Sequence, residues 1–401
     1  MPAMHPPTPL PLMRLALALS LGAAVSLGVT RFSYGLLLPP MRDDLGWSYT
    51  LAGSMNTVNA VGYLLGALLT PLLMRRLGPS ALFLWGGWLA TLLMGVAGFL
   101  VEPGALLAQR LLAGVLSAFQ FIAGGLLAAR LAARDTARGS LLLGLYYGGA
   151  GLGIVASALA VPLLLHAAAA QAHAWAWAWW GLALLCALAS AFMAWPVRVL
   201  DGSAPPVSEV PGAAIGQTSA SLRDMAWLLM GYGLFGAGYI GYMTFSVALL
   251  REQGLSAPGI TTYFTLLGVA VVVAPRVWAS LLDRERGGGA FARLNALLAV
   301  AALLPVLASG WVVALVSGLL FGVCFLSVVA STTAFVRHNL PPAAWARGIS
   351  RFTICFAVGH IVGPVLTGLI SDGPGGLARG LVFSAVALAV GALFAWRQRP
   401  L

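Results

Sequence analysis

Thr30-Arg31-Phe32-Ser33-Tyr34-Gly35-Leu36-Leu37-Leu38-Pro39-Pro40-Met41-Arg42-Asp43-Asp44-Leu45-Gly46-Trp47-Ser48, then an apolar segment, then Met74-Arg75-Arg76-Leu77-Gly78, is the stretch whose reading decides the fold, because its polar markers return halfway along the chain. In the second occurrence, between Tyr242 and Gly287, Leu250-Arg251-Glu252-Gln253-Gly254-Leu255-Ser256 answers the segment ending at Ser48, and Leu282-Asp283-Arg284 answers Met74-Arg75-Arg76. The register is kept: 256 − 48 and 284 − 76 both give 208. Gly114 and Gly322 are also 208 apart, and Ala137-Arg138-Gly139 and Ala346-Arg347-Gly348 are 209 apart. One unit of about 200 residues is therefore duplicated, and self-similarity of this kind sets architecture before any local reading.

Composition sets the solvent. The chain is 60% hydrophobic and 8% charged, with mean hydropathy +0.93, too few polar groups to cover a water-facing surface. Apolar runs of about 20 residues cross a bilayer as helices, which satisfy their own backbone hydrogen bonds there. Six spans are expected at 12–38, 50–73, 80–100, 105–129, 140–165 and 175–195, and six more at 225–249, 260–282, 290–308, 311–336, 349–371 and 377–396. The 12–29 run with Arg14 has the look of a secretory signal, but apolar character resumes after Arg31 and Pro39-Pro40 closes a full-length first span. The expected fold is an all-α membrane protein of twelve transmembrane helices in two six-helix pseudo-repeats: 1–195 with a short disordered N-terminus, a flexible linker at 196–222, and 223–401. The linker is rich in Pro, Ser and Gly.

The net charge of +11 reflects topology rather than nucleic acid, because all 22 basic residues are Arg and most lie between spans. Fifteen arginines fall on the side of the linker and termini, against Arg42, Arg251 and Arg379 on the other. The positive-inside rule then makes both termini cytoplasmic, in an inner or plasma membrane. Trp47, Trp175, Trp177, Trp179, Trp180, Trp195, Trp311 and Trp396 fall near span ends, where amphipathic rings prefer the headgroup level. Cys186, Cys324 and Cys355 are an odd number inside spans and read as small buried hydrophobes, with no metal site and no disulfide framework.

Two parallel six-helix halves resemble the major facilitator superfamily of transporters over nearly the whole chain. Leu73-Met74-Arg75-Arg76-Leu77-Gly78 keeps the arginines of the superfamily's loop signature but lacks its Asp, whereas Asp283-Arg284 keeps the pair. Arg110-Leu111-Leu112-Ala113-Gly114 is similar to the R-x-x-x-G element linked to proton coupling in relatives. Arg31 to Arg42, with Asn59-Ala60-Val61-Gly62-Tyr63-Leu64-Leu65-Gly66-Ala67, looks like the YbfB/YjiJ branch. Gly359-His360-Ile361-Val362-Gly363-Pro364 carries His where that branch's G-Q-x-x-G-P element has Gln. The resemblance implies Arg75, Arg76, Asp283 and Arg284 as gating-loop residues and Arg110 as a coupling residue, although Arg110, six residues or about 9 Å from Gly104, also reads as packing or snorkelling near one membrane face; His360 reads as a proton carrier for coupling or as a neutral packed histidine.

None of the 11 acidic residues lies well inside a span, yet Arg31, Arg110, Arg276 and Arg351 do. A buried cation costs several kcal/mol unless it finds water or a partner. Arg31 stands eight residues before Pro39, roughly 12 Å along a helix, near mid-depth. It is read as lining a central cavity, where it binds an anionic group or couples to protons, with a structural hydrogen bond as the other reading. Asn56, Asn59 and Tyr63 share one helical face. With Arg31, Tyr34, Tyr239 and Tyr242 they form the candidate solute-binding set, against interhelical hydrogen bonding. Arg276 and Arg351 read as reaching the inner interface. Gly62 and Gly66, Gly144 and Gly148, and Gly359 and Gly363 have the spacing of close helix contacts.

The expected function is secondary active transport of a small, anionic or polar organic solute by alternating access, with protons an open coupling partner. It needs no cofactor, and the protein is expected as a monomer in the bilayer with no nucleic-acid partner. The alternatives are a proton-coupled efflux pump for amphipathic compounds and a non-transporting solute sensor. No Ser, His and Asp set and no paired carboxylates fall at one depth, so catalysis is not expected, and no phosphate-binding loop follows a strand.

Overall fold

The computed structural model describes residues 12–135, 138–202, 221–341 and 344–401; the expected disordered N-terminus and 203–220 of the linker lie outside the described residues. Among the described residues there is no strand, and twelve helices are long and apolar enough to cross a membrane. In chain order they are α1 Leu12–Leu45, α2 Tyr49–Leu77, α3 Pro79–Ala97, α4 Pro103–Ala132, α5 Gly139–Ala167 and α6 Ala174–Gly202. After the linker come α7 Ala226–Glu252, α8 Ala257–Arg284, α9 Gly289–Leu307, α10 Trp311–Asn339, α11 Trp345–Asp372 and α12 Gly376–Trp396. Residues 196–202 are helical rather than loop, because Pro196 sits inside a continuing α6.

The duplicated markers are turn chemistry. Gly46 and Gly254 both adopt positive φ, +68° and +83°, where a side chain would be strained. Two residues on, the Ser48 hydroxyl accepts from Leu51 N at 3.1 Å and the Ser256 hydroxyl from Gly259 N at 3.4 Å, capping α2 and α8. Packing repeats with the same offset, α2 lying on α4 in the first half and α8 on α10 in the second.

Glycines bring backbones together where helices cross. A Cβ at Gly62 would lie 1.9 Å from the Leu111 carbonyl oxygen, and one at Gly114 would lie 2.1 Å from that of Asn59. Gly66 meets Val115 in the same way, and Gly359 and Gly363 meet Gly233 and Ala237 of α7. Gly144 and Gly148 correct the expectation for their pair, since nothing lies within 4 Å of a Cβ at either. The reason is divergence: one turn further along the same face, Gly151 meets the Gly268 carbonyl of α8, and from there α5 and α8 part toward the Gly144 end.

The two halves therefore touch at one end and splay at the other. At the closed end the Asp372 carboxylate of α11 accepts from the backbone N–H groups of Tyr49 (2.7 Å) and Thr50 (2.8 Å) and from the Thr50 hydroxyl (2.5 Å). It thus satisfies donors at the start of α2 that no helix can pair internally. The Tyr49 hydroxyl bonds Glu252, and Arg42 lies 3.9 Å over the Tyr49 ring. Gly53 packs on Pro364 and Gly368 on Tyr49. Arg75, Arg76, Asp283 and Arg284, at the splayed end, are all exposed.

Not every tryptophan near a span end is interfacial. Trp47, Trp175 and Trp179 are buried, Trp175 donating to Asp44 at 2.6 Å, because the ends of α1 and α6 pack on each other. Cys186 and Cys324 are buried and free.

Candidate functional site

Midway along α1 the helix changes gauge. Ala24–Phe32 is π-helical, and the Thr30 hydroxyl bonds the Val25 carbonyl at 2.7 Å, five residues back. Such widened turns concentrate at functional sites, since they redirect side chains and release carbonyls from the regular ladder. Here Thr30 gives its carbonyl to Arg110 Nη1 at 2.9 Å, and the next side chain, Arg31, faces the second half.

Both arginines are buried, Arg31 6% exposed and Arg110 1%. Arg110 Nη2 donates to Asn56 Oδ1 (3.1 Å), and its guanidinium lies 5.0 Å over the Tyr34 ring. Tyr34 itself donates to the Ala52 carbonyl at 2.9 Å. Arg31 Nε donates to Asn59 Oδ1 at 3.2 Å, and its guanidinium lies 4.5 Å over the Tyr63 ring. Asn59 Nδ2 in turn donates to the Arg110 carbonyl at 3.0 Å, which closes a network across α1, α2 and α4. Two nitrogens in it have no partner and no solvent: Arg31 Nη2 and Arg110 Nε.

No carboxylate answers these cations. The four ion pairs among the described residues, Arg42–Asp43, Arg138–Asp135, His173–Asp44 and Arg293–Glu285, involve neither Arg31 nor Arg110. Each lies at a helix end or in a loop. An ionised group held out of water without a counter-charge is costly, and the cost falls when an anion arrives.

The second half contributes the other wall. Asn56 Nδ2 donates across to the Thr244 hydroxyl of α7 at 2.7 Å, and Phe32 meets Phe325 of α10 edge-on at 5.7 Å. Tyr239 Oη and His360 Nδ1 are 2.8 Å apart and buried, and both lie within reach of the Arg31 charge. The structure thus brings Arg31, Tyr34, Asn56, Asn59, Tyr63, Arg110, Tyr239 and His360 together. Tyr242 stands apart, its hydroxyl 2.6 Å from Ser317 and 2.9 Å from Tyr263 within the second half. Arg276 is exposed toward the splayed end, and Arg351 is half-buried beside Met225.

Sequence reasoning missed Thr244, which has no local signal because its partner is 188 residues away. It also missed Tyr49, which was not singled out, and Asp372 and Glu252, read only as acidic residues outside the span interiors. Tyr232 and Phe235 carried a signal that was available: with Tyr239 and Tyr242 they recur at helical spacing on one face of α7.

Residues 23–396 match the family described as uncharacterised MFS-type transporter YbfB. No curated protein matches the chain. Among solved structures, the nucleoside transporter NupG superposes with a TM-score of 0.71 at 14% identity, covering 97% of this chain and 100% of that one. A bacterial homologue of the human lysosomal transporter Spinster, inward-facing and unoccupied, gives 0.73 at 14%, with 97% of each chain covered. FucP, a major facilitator transporter in the outward conformation, gives 0.61 at 17%, covering 96% of this chain and 98% of that one. At these identities the likeness is one of fold.

Proposed function

We propose, from the premise that the chain belongs to the family of YbfB-type major facilitator transporters, that it is a secondary active transporter of a small anionic organic solute. The observation that carries this is the pair of buried guanidiniums with no carboxylate to balance them and with Arg31 Nη2 left unpartnered. A cationic solute entering this cavity would be repelled, whereas an anion replaces lost hydration and adds a charge-assisted hydrogen bond.

Alternating access about a mid-depth site fits the two ends of the bundle. With the Arg-rich, splayed end toward the cytoplasm, the structure corresponds to an inward-open state in a plasma or inner membrane, and the protein works as a monomer. Opening the other end requires Asp372 to leave the start of α2 and Asn56 to leave Thr244. Arg75, Arg76, Asp283 and Arg284 would then meet as the cytoplasmic gate. His360 is the coupling residue in this reading: a proton there adds a charge facing Arg31, and an anion held at Arg31 offsets it, so the two are favourably bound together.

The test is a thermal-shift screen of purified protein against anionic, neutral and cationic solutes, followed by flux in proteoliposomes with and without a pH gradient. Anions should stabilise the parent and not Arg31→Gln, and the gradient should drive their uptake. A solute carried equally well in cationic or neutral form would contradict the proposal.

A further inference from the structure

The second half faces Arg31 with the Tyr239 hydroxyl and His360, and around these polar groups it carries a stack of ring faces. Tyr239 stacks on Phe235 (centroids 4.9 Å, 15°), on Phe325 (6.1 Å, 11°) and on Phe356 (5.7 Å, 21°), and Phe356 stacks on Tyr232 (5.2 Å, 29°). Most of these rings are buried, which alone would mean core packing; Phe356 is half-buried and keeps an open face. It lies one turn from His360 on the splayed side, because α11 runs from the splayed end at Trp345 to the closed end at Asp372.

The first half offers the matching surface. Tyr63 lies one turn beyond Asn59, again toward the splayed end, and is also half-buried although its face supports Arg31. It is close enough to Tyr232 and Tyr239 for their charges to interact, so the ring clusters of the two halves are neighbours. Arg31, bonded to Asn59, stands one turn from Tyr63 toward the closed end. Arg31 gives Nε to Asn59 and shares a hydrogen bond with Tyr239, which leaves Nη2 as its unpartnered nitrogen, while both Nη groups of Arg110 are engaged.

We propose that the solute is an aromatic monocarboxylate-type anion, its one charged group on the unpartnered Nη2 of Arg31 and its flat apolar body between Tyr63 and the Phe356–Tyr232 wall. This rests on the anionic reading above and adds the ring. A planar carboxylate suits a guanidinium fork, and an aryl body extends the existing stack, whereas a compact hydrophilic anion would leave these faces uncovered in the site.

Titration calorimetry on the full chain in detergent tests it with 2-naphthoate, its neutral amide 2-naphthamide, hexanoate and inorganic phosphate. The parent should bind 2-naphthoate roughly tenfold or more tighter than each of the others. Phe356→Leu, which keeps apolar volume, should weaken 2-naphthoate roughly threefold to tenfold, and Phe356→Tyr should restore it. Hexanoate or phosphate binding as tightly as 2-naphthoate, with Arg31→Gln abolishing both, would overturn the ring while leaving the anionic reading standing. Equal binding of 2-naphthamide would instead overturn the charge. No binding of 2-naphthoate at millimolar concentration, or an unchanged affinity in Phe356→Leu, would also overturn the proposal.

Discussion

Arg31 and Arg110 are chemically identical, lie side by side and are equally out of water, yet they are held in opposite ways. Arg110 spends both Nη groups on fixed acceptors of its own half, the Thr30 carbonyl and Asn56 Oδ1, and covers Tyr34. Arg31 gives Nε to Asn59 and faces the second half, where it shares a side-chain hydrogen bond with Tyr239 and its charge reaches His360, and its Nη2 has no partner. The contrast teaches that burial of a charge does not identify a binding residue. Each keeps one buried nitrogen without a partner, and what distinguishes them is that Arg110 is held by acceptors of its own half while Arg31 reaches into the second, so in the proposed function Arg110 frames the site and Arg31 reads the solute.

The largest effect follows from the backbone contact that makes this arrangement possible. Asn59 reaches the Arg110 carbonyl because Gly62 and Gly114 let α2 and α4 meet backbone to backbone. Gly62→Leu or Gly114→Leu should cost about 3 kcal/mol of stability or more, the upper range for overpacking, and sharply reduce folded yield. Gly144→Leu, at a half-exposed position with nothing within 4 Å, should leave both nearly unchanged. Comparable losses in all three variants, read by thermal unfolding in detergent, would remove the basis for the contact.

Next in size is the split between the arginines themselves. Arg110→Gln strands a buried carbonyl and a buried amide oxygen and should lower stability by about 2 to 3 kcal/mol. Arg31→Gln keeps a donor for Asn59 and removes an unbalanced buried cation, so its stability should stay within about 1 kcal/mol of the parent. The reverse order of unfolding temperatures would break the comparison.

Much of this was legible in the sequence, for reasons that can be named. The repeat was visible because Gly46 and Gly254, and Ser48 and Ser256, perform the same turn and cap in each half, and such positions tolerate few residue types. Arg31 stood out because no acidic residue shares its depth. Arg110 was harder: counting from Gly104 put it near one membrane face, but counting along one helix cannot register it against another, and the Gly114–Asn59 contact sets that register. The small-residue spacing of Gly144 and Gly148 misled for the same reason, since spacing shows that helices are able to approach, not that they do in the state observed. Tyr242 was grouped with Tyr239 as the repeat counterparts of Tyr34 and Arg31, but one turn nearer the closed end on the same face its hydroxyl is taken by Ser317 and Tyr263 of its own half.

A smaller effect is expected where the arginine network crosses between halves. Thr244→Val keeps the shape but removes the acceptor of Asn56 Nδ2, loosening a side-chain hydrogen bond between the arginine network and α7 by about 1 kcal/mol. Cysteine accessibility at the closed end should rise modestly, and that of a cysteine at the half-exposed Gly144 should fall, as the population shifts toward the opposite opening. Unaltered accessibility at both positions would mean that Asn56 serves Arg110 alone.

The central claim, that Arg31 reads the charge of the solute, is tested most directly by one ratio: the affinity of a transported anion over its neutral amide isostere, measured by titration calorimetry in the parent, Arg31→Gln and Arg31→Lys. A charge-assisted contact of about 1.5 to 3 kcal/mol corresponds to a ratio of roughly ten to a hundred in the parent. That ratio should collapse toward one in Arg31→Gln and recover in part in Arg31→Lys, where the charge returns without the planar fork. A ratio that survives intact in Arg31→Gln would show that the charge is read elsewhere and would contradict the account.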